Sequence, residues 1–506
     1  MLLAEIAKTS EAVAAAPARR TKIDLLARCL REAGPAEVAI AVSYLSGELP
    51  QRQIGVGYAA LQGAPPPAAE PSLTLAEVDA AFSRIGGLAG KGSVAARRDL
   101  LRDLLGRATG PEQAFLIGLL AGELRQGALD GVMADAVAAA AQVPAAEVRR
   151  AAMLRGALAP VAVTALTSGV EGLREYRLEV GRPVKPMLAA SAASLEEAID
   201  GTTPVAVEWK LDGIRVQAHV SPGDVRLFTR TLDDITDRLP EIVTVLRGLP
   251  VRSAVFDGEL IALREDGSPQ PFQVTSARTA SREGAPISVF LFDVLHLDGT
   301  DLLDRPEAER WAAQAGAVPA DLLIPRLETA ALPEATAFFE AAVARGHEGV
   351  VVKSLDAPYA AGRRGAGWIK VKPRHTLDLV VLAAEWGHGR RKGWLSNLHL
   401  GARDPETGGW VMLGKTFKGL TDEMLRRQTE RLLDLALPGE STESWTVRVR
   451  PELVVEVAFD GVQRSSRYPG GMALRFARVV RYRPDKSADE ADTVETVRAI
   501  AGPVLD

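Results

Sequence analysis

The spacing of apolar residues changes near residue 182, and this change limits how the chain can fold more than any other feature. Before it, apolar residues recur three and four positions apart, as at Leu101, Leu104 and Leu105, which is typical of amphipathic helices. The prolines within residues 181–188 mark a linker, and short runs typical of strands follow it, for example at residues 205–209 and 350–353. The sequence therefore predicts a helical region joined to regions that are built on β-sheets.

The length of 506 residues exceeds what one hydrophobic core usually organises, so we expect a multidomain protein with three domains. Residues 1–182 are predicted to form an all-α domain. Residues 183–375 are predicted to form an α+β domain, because helical patches interrupt their strands without the regular alternation of a doubly wound sheet. In residues 376–506, about five short strands and one helix predict a small β-barrel of the oligonucleotide/oligosaccharide-binding (OB) type.

The amino-acid composition excludes several classes of protein. Cys29 is the only cysteine, which excludes a disulfide framework and zinc sites built on several cysteines. No apolar run is long enough to span a bilayer, and the N-terminus lacks the apolar core of a signal peptide, so no membrane partner is expected. We therefore expect a cytoplasmic location, in a bacterial cytosol or nucleoid.

The net charge of −5 is unusual for a protein that binds nucleic acid, but the charge is unevenly distributed. Between residues 363 and 392 the chain carries many basic residues and only two acidic ones, Asp378 and Glu385. The basic residues are Arg363, Arg364, Lys370, Lys372, Arg374, Arg390, Arg391 and Lys392. Such a stretch on a mildly acidic body predicts a phosphate-binding strip, although a solvated charged face would have the same composition.

Lys210 follows a hydrophobic run that breaks at Asp212-Gly213. A lysine is charged at neutral pH, and it becomes a nucleophile only where desolvation or neighbouring cations favour the loss of its proton. In such a setting Lys210 is predicted to attack a nucleotide phosphate and to carry AMP as a phosphoramide. A surface lysine beside a turn would give the same tetrapeptide, so the downstream residues have to decide between the two interpretations.

Two acidic residues, two lysines and an aromatic residue downstream favour nucleotide transfer. Glu259 lies at a strand end and Glu348 precedes a buried strand, and together they could hold Mg²⁺ or, since both metals take oxygen ligands, Mn²⁺. Lys370 and Lys372 alternate, so they should share one face of a strand and could stabilise a triphosphate. Phe292 could stack on adenine. Each of these residues alone also has an ordinary structural explanation. Such explanations do not account for the order and spacing in which the residues occur together along the chain.

This ordered series resembles the covalent nucleotidyltransferases, and specifically the ATP-dependent DNA ligases. That family carries, in this order, Lys-x-Asp-Gly, a strand with an arginine, Asp-Gly-Glu, Phe-Asp, Glu-Gly-Val-Lys, Trp-x-Lys-x-Lys and a basic Arg-x-Pro-Arg element. The corresponding segments here are residues 210–213, 228–230, 257–259, 292–293, 348–353, 368–372 and 474–478. The similarity covers nearly the whole chain, since residues 1–182 look like the family's DNA-binding domain and residues 185–189 look like its junction to the adenylation domain.

The resemblance implies a role for each residue at a matching position. Lys210 would be the adenylated nucleophile, Glu208 would accept a hydrogen bond from the adenine amino group, and Phe292 would stack on the base. Glu259 and Glu348 would serve the ribose and the metal. The basic residues would bind phosphates of the nucleotide or of DNA. Arg215 would contact the ribose and the phosphates, and Arg230 would bind AMP or the 5′-phosphate of a nick. Phosphates in general would be bound by Arg364, Lys370 and Lys372, and the leaving pyrophosphate by Arg475 and Arg478.

One position departs from the family pattern, because Ala477 replaces the proline that usually separates the two arginines of the last motif. A proline would stiffen that turn, so its loss could loosen the positioning of Arg478. We expect slower self-adenylation as the largest effect.

The resemblance also implies ATP as the adenylate donor and nicked double-stranded DNA as the partner, bound by a monomer that clamps around it. An enzyme that seals nicks must act at any sequence, so contacts to phosphates and to groove shape should predominate over contacts to bases. The candidate DNA-binding residues are Arg390, Arg391 and Lys392, followed by Arg97, Arg98 and Arg102 on a predicted helix.

Three other functions stay open at this point. An RNA ligase or an mRNA-capping relative would share the lysine chemistry, but the long helical N-terminal region argues against it. An NAD-dependent ligase is disfavoured, because one cysteine cannot build the four-cysteine zinc module typical of that family. A non-catalytic DNA clamp with a ligase fold would have no need for intact Lys210, Glu259 and Glu348.

Overall fold

The computed structural model describes residues 1–124, 130–360, 364–388, 391–439 and 444–501, without the side chains of residues 58, 59 and 364–366. Within these residues, helices extend to Arg174, two five-stranded sheets follow, and the C-terminal region is built on a six-stranded sheet. The predicted order along the chain, a helical region followed by two regions with sheets, is therefore confirmed.

The described part of the N-terminal region consists of helices that share one apolar core. They are α1 (Leu3–Ala15), α2 (Arg19–Glu32), α3 (Val38–Leu45), α4 (Leu75–Gly87), α5 (Ser93–Gly106), α6 (Gly110–Leu120), α7 (Asp130–Ala141), α8 (Ala145–Arg155) and α9 (Leu158–Arg174). α4 begins at a capping box, in which the Thr74 hydroxyl accepts from the Glu77 N–H and the Glu77 carboxylate accepts from the Thr74 N–H. The shared core includes Leu26, Phe82 and Leu116. Among the helices described along the chain, none is both long and apolar enough to cross a bilayer.

The first sheet of the middle region contains the strand that ends at Lys210. In spatial order its strands are β1 (Leu188–Ser191), β10 (Arg364–Val371), β9 (Gly349–Ser354), β2 (Val205–Lys210) and β8 (Arg326–Thr329). Only β1 and β10 are parallel; the other pairs are antiparallel. Helix α13 (Leu332–Ala344) covers one face, where Ala335 and Ala342 share a buried cluster with Val207 and Val352. This packing fixes the strands that precede and follow the candidate site.

The second sheet of the middle region is entirely antiparallel. In spatial order its strands are β4 (Asp224–Thr229), β3 (Ile214–Ser221), β5 (Ala254–Ile261), β6 (Ser288–Leu297) and β7 (Thr300–Asp301), and α10 (Pro240–Arg247), α11 (Phe272–Ala280) and α12 (Glu307–Ala317) accompany it. The turn at Asp212-Gly213 joins β2 of the first sheet to β3 of the second. A Cβ atom on Gly213 would collide with the carbonyl oxygen of Leu260, so the close approach of the turn to β5 requires glycine.

The C-terminal region has an open sheet, and the strands that the structure describes do not close into the predicted barrel. In spatial order these are β13 (Trp410–Thr416), β12 (Leu395–Arg403), β11 (His375–Trp386), β15 (Val454–Phe459) and β18 (Arg478–Tyr482), with β14 (Thr446–Arg448) paired to β11. β16 (Gly461–Arg464) and β17 (Met472–Arg475) form a separate hairpin, and the helices are α14 (Asp422–Asp434) and α15 (Val494–Ala501).

Local alternation predicts strands but not which strands meet, and this is why a barrel was predicted where the sheet is open. The two end strands, β13 and β18, approach each other through isolated hydrogen bonds and not through a ladder. The Val479 N–H donates to the Lys418 carbonyl at 3.0 Å, and the Thr416 hydroxyl donates to the Ala477 carbonyl at 2.6 Å.

The helical and middle regions pack together around the linker. Met153 and Leu154 of α8 share a buried cluster with Val184 of the linker and with Val255 and Leu295 of the second sheet. Ion pairs outside this cluster include Arg150 with Asp304 at 2.6 Å, Arg52 with Asp233 at 3.1 Å, and Lys185 of the linker with Asp130 at 2.7 Å. The linker is therefore part of the packed structure.

Candidate active site

A cavity of about 750 Å³ is lined by strands from both sheets of the middle region. This volume lies within the range typical of small-molecule sites. The predicted site residues that line it are Lys210, Glu208, Arg215, Arg230, Glu259, Phe292 and Lys370. Among the residues predicted to bind nucleotide or metal whose side chains the structure describes, Glu348, Lys372, Arg475 and Arg478 lie outside this lining. The structure thus brings most of the separate motifs to one cavity.

Glu348 joins two lysines at the edge of the cavity. Lys210 Nζ donates to Glu348 Oε2, and Lys372 Nζ donates to Glu348 Oε1. The register of β2 and β9 explains the first contact, because Lys210 lies opposite Gly349, the residue after Glu348. Burial opposes ionisation of Glu348, but the two lysine cations prevail and lower its pKa. Burial likewise opposes the charge of Lys372, but Glu348 and Asp460 raise the pKa of its amine.

Glu208 is buried in the wall of the cavity, 2% exposed, and is held by two cations. Arg326 donates to one carboxylate oxygen at 2.9 Å, and Lys353 Nζ lies 2.7 Å from the other. Burial raises the pKa of Glu208, because removal from water disfavours the charged form. A carboxylate has about four lone-pair positions, so these two partners leave capacity for a further hydrogen bond from a ligand.

The sequence analysis did not identify Lys353 and Arg326 as site residues. Lys353 could have been recognised from the sequence, because it ends an apolar run and a lysine buried at such a position requires a partner. Its amine also donates to the Phe292 carbonyl at 2.7 Å. Arg326 gave no signal, since no motif surrounds it and its partners Glu208 and Glu307 are distant in sequence.

Arg215 lines the cavity with its guanidinium already held in place. Its Nε and Nη2 donate to the two carboxylate oxygens of Asp257 at 2.9 and 2.5 Å, and its Nη1 donates to the Met187 carbonyl at 2.6 Å. Nη2 also donates to the Tyr359 hydroxyl at 3.3 Å. Burial opposes the charge, but Asp257 raises the pKa of Arg215, so the guanidinium stays protonated.

Two aromatic rings and two cations form another part of the cavity wall. Phe292 meets Trp368 edge to face, with ring centroids 5.9 Å apart. Lys353 Nζ lies 4.7 Å from the Trp368 centroid and 5.1 Å from that of Phe292. The guanidinium carbon of Arg215 lies 5.5 Å from each centroid. This combination provides apolar ring surface next to positive charge, which suits a nucleobase attached to phosphates.

Glu259 is the other predicted metal ligand. Burial raises the pKa of Glu259 to about 8, although Lys210 and Arg215 oppose this shift. Among the residues that the structure describes, no group of three or more His, Cys, Asp or Glu side chains is arranged to hold a metal ion. Mg²⁺ is usually bound by one or two carboxylates together with waters and substrate phosphates. Glu259 and Glu348 supply carboxylate oxygens of the kind that Mg²⁺ takes, and phosphate oxygens and waters would have to complete its coordination.

The C-terminal region reaches the site through the β16–β17 hairpin. Arg475 donates to both carboxylate oxygens of Asp212, at 2.5 and 3.2 Å, and Lys372 Nζ donates to Asp460 at 3.2 Å. Arg478 is exposed on β18. At Ala477, the bond from the Thr416 hydroxyl to the backbone carbonyl restrains the turn where the resemblance led us to expect a proline.

The predicted DNA- and phosphate-binding residues of the two basic segments are described only in part. Arg390 and the side chain of Arg364 lie outside the described residues. Arg391 donates to the Phe417 carbonyl, and Lys392 is exposed. On α5, Arg97 donates to the Ile85 carbonyl at 3.3 Å, and Arg98 and Arg102 are exposed.

Three family models match the chain in order. They are described as DNA ligase N terminus at residues 58–138, ATP dependent DNA ligase domain at residues 186–372, and ATP dependent DNA ligase C terminal region at residues 391–486.

Curated relatives match over almost the full length. A probable DNA ligase of Anaeromyxobacter dehalogenans (strain 2CP-1) is 60% identical over 514 residues, covering 99% of this chain and 100% of the relative. A probable DNA ligase of Mycolicibacterium gilvum (strain PYR-GCK) is 59% identical over 507 residues, covering 99% of each chain. A solved structure titled "Pmar-Lig_PreS3" matches with a TM-score of 0.63 at 18% identity, over 94% of this chain and 99% of that one, which is a likeness of fold.

Proposed function

Because the chain belongs to the ATP-dependent DNA ligase family, we propose that it seals nicks in duplex DNA through a lysyl-AMP intermediate formed on Lys210. The observation that carries this proposal is the location of Lys210 in a cavity that Glu208, Glu259 and Phe292 also line. The cavity therefore combines a nucleophile with groups that suit the base, the ribose and the phosphates of one nucleotide.

In the first step, the neutral amine of Lys210 attacks the α-phosphorus of ATP. A nitrogen–phosphorus bond forms, the bond to the β-phosphate oxygen breaks, pyrophosphate leaves, and the amine gives up its protons to solvent. An ion-paired ammonium has no free lone pair, so the contact between Lys210 and Glu348 must open first. Lys372 binds the same carboxylate, and Glu348 therefore keeps a cationic partner when Lys210 turns towards the nucleotide.

The adenine end of the nucleotide would lie against Glu208 and the two rings. The buried carboxylate of Glu208 is fixed by Arg326 and Lys353, so a hydrogen bond to the adenine amino group costs little reorganisation. Phe292, held edge to face by Trp368, would stack on the base. Arg215 would contact the ribose and phosphates from a guanidinium that is already fixed.

In the second and third steps, AMP passes from Lys210 to the 5′-phosphate of the nick, and the 3′-hydroxyl then attacks that phosphorus and releases AMP. Each step is a substitution at phosphorus in which positioned cations stabilise the developing charge. We propose Arg230, Arg364, Lys370 and Lys372 for this task, with Arg475 and Arg478 at the leaving pyrophosphate of the first step. Mg²⁺ or Mn²⁺ held by Glu259 and Glu348 would supply further positive charge next to the α-phosphate.

The finer architecture is part of the same proposal. We propose domain limits at residues 1–182, 183–375 and 376–506, a partly open sheet of the OB type in the last domain, and a monomer that clamps around nicked DNA in the cytoplasm. The contact of Arg475 with Asp212 supports closure of the last domain over the nucleotide. Arg390, Arg391 and Lys392 remain our candidates for DNA phosphate contacts.

Sealing of a fluorescent nicked duplex in the presence of Mg²⁺ tests the proposal. We expect sealing with ATP and not with NAD⁺, faster on all-DNA than on RNA-containing duplexes. Lys210→Ala should abolish sealing, whereas Lys91→Ala, at an exposed position of the helical region, should leave it unchanged. Absence of ATP-dependent sealing by the wild type, or sealing by Lys210→Ala, would contradict the proposed function.

A further inference from the structure

The Tyr359 hydroxyl lies behind the candidate nucleotide cavity and uses its full hydrogen-bonding capacity. It donates to Asp257 Oδ2 at 2.7 Å, and it accepts from the Met187 N–H at 3.0 Å and from Arg215 Nη2 at 3.3 Å. A tyrosine hydroxyl offers one donor and two acceptor positions, so all three are occupied. The side chain is only 2% exposed and does not line the cavity itself.

The three partners belong to segments that form the cavity wall. Met187 precedes β1, whose first residues, Leu188 and Ala189, line the cavity. Arg215 lines it from β3, and Asp257 lies on β5, two residues before Glu259. One hydroxyl therefore connects the rim of the first sheet to two neighbouring strands of the second sheet.

The backbone of Met187 is held from both sides by this network. Its N–H donates to Tyr359, and its carbonyl accepts from Arg215 Nη1 at 2.6 Å. Arg215 is held in turn by two bonds to Asp257. The position of the Met187 backbone at the cavity rim and the direction of the Arg215 guanidinium therefore depend on each other. Tyr359 contacts Met187, Arg215 and Asp257, the three residues that determine both.

We propose that Tyr359 is a positioning residue for the nucleotide: its hydroxyl holds Arg215 and the rim at Met187 in the arrangement that binds ATP. This inference rests on the proposed function, because it takes ATP as the ligand of the cavity. It assigns to Tyr359 an effect on nucleotide affinity through Arg215, without contact to the reacting atoms.

Packing alone does not require the hydroxyl. The ring of Tyr359 meets Trp368 edge to face at 5.7 Å, a contact that phenylalanine would keep. Buried polar groups cost free energy unless all are paired, and the network buries a hydroxyl, a carboxylate and a guanidinium together. Removal of the hydroxyl alone would leave the Met187 N–H without its acceptor and would remove one of the donors to Asp257.

The test measures self-adenylation of Tyr359→Phe as a function of ATP concentration. Loss of one buried hydrogen-bonding partner should raise the ATP concentration for half-maximal rate about five- to tenfold. The rate at saturating ATP should change much less, because the groups that contact the reacting atoms remain. A purely structural role would instead lower the active fraction, and so the maximal rate, without moving half-saturation.

Two further variants keep the test decisive. Tyr44→Phe also removes the hydroxyl of a fully buried tyrosine, but in the core of the helical region, and should leave half-saturation unchanged. Asp257→Asn weakens the same hydrogen-bond network at another of its members, and it should also raise the ATP concentration for half-maximal rate. This variant takes the place of Tyr359→Phe if Tyr359→Phe does not fold. If the wild type adenylates normally and each folded network variant keeps the wild-type half-saturating ATP concentration, the inference about Tyr359 is overturned while the proposed function stands. If the wild type does not adenylate, the proposed function itself fails.

Discussion

Arg475 of the C-terminal hairpin forms a two-pronged ion pair with Asp212, which lies two residues beyond Lys210. Nη1 lies 2.5 Å from one carboxylate oxygen, and Nη2 lies 3.2 Å from the other. Paired arginine–carboxylate bonds of this kind are directional, so the contact fixes the orientation of the hairpin as well as its distance. The C-terminal region is thereby brought to the turn that follows the proposed nucleophile.

Replacing Arg475 by alanine should slow self-adenylation about 10- to 100-fold, since the cation that we propose at the leaving pyrophosphate would be lost. Sealing of a nick whose 5′-phosphate already carries AMP should change much less, because that substrate bypasses the first step. Single-turnover rates for the two reactions measure the difference. Arg481→Ala, at an exposed position on β18, is the control and should leave both rates unchanged. Equal losses in both reactions would contradict a role confined to the first step.

Arg326 should be important for stability as well as for the site. It donates to Glu208 and Glu307, whose side chains are 3% and 2% exposed. Arg326→Met would deprive both buried carboxylates of this partner, and breaking a buried pair from one side typically costs about 3–5 kcal/mol. Urea unfolding measures the loss, and Arg326→Lys, which keeps the charge but not the planar fork, should lose less. A methionine variant as stable as the wild type would contradict this network.

The pH dependence of stability should identify the environment of Glu259. Burial raises the pKa of Glu259 to about 8 from an ordinary value of 4.5, so between these values the folded protein holds a proton that the unfolded chain has lost. The contribution of Glu259 to stability is therefore full below 4.5 and is lost as the pH rises through about 8. In protein free of metal and nucleotide, the melting temperature of the wild type should fall relative to that of Glu259→Gln between about pH 5 and 9. A difference that is constant with pH would contradict the raised pKa of Glu259.

Glu348 should have the opposite dependence. Although burial opposes ionisation, Lys210 and Lys372 lower its pKa below the ordinary 4.5. Its pairing therefore stabilises the fold above pH 4.5, and this contribution is lost as the pH falls through the lowered pKa. The melting temperatures of wild type and Glu348→Gln should converge at acidic pH. Divergence on acidification would show that the two lysines do not act on this carboxylate.

The local part of the structure could be predicted from the sequence. Short apolar runs indicated strands at residues 205–209 and 350–353, and the structure has Val205–Lys210 and Gly349–Ser354. Such runs are set by neighbours in the chain, and they are therefore visible without knowledge of the fold. The same holds for the glycine after Asp212, which marks the turn.

The contacts between distant strands could not be predicted in this way. The meeting of Glu348 with Lys210 depends on the register of β2 and β9, and Tyr359 and Arg326 acquire their partners only when separate segments converge. The failure of the described C-terminal strands to close into a barrel has the same origin, since closure depends on the first and last strands together. Burial and charge pairing in the structure thus identified Tyr359 and Arg326, which the sequence motifs did not include.

The most direct test of the central claim is to locate the AMP group on the protein. The purified chain is incubated with ATP and Mg²⁺, denatured, digested and analysed by mass spectrometry. We predict one AMP adduct on the peptide that contains Lys210, released when nicked DNA is added before denaturation, and no adduct in Lys210→Ala. AMP on a different residue, or an adduct of equal yield in Lys210→Ala, would contradict the account.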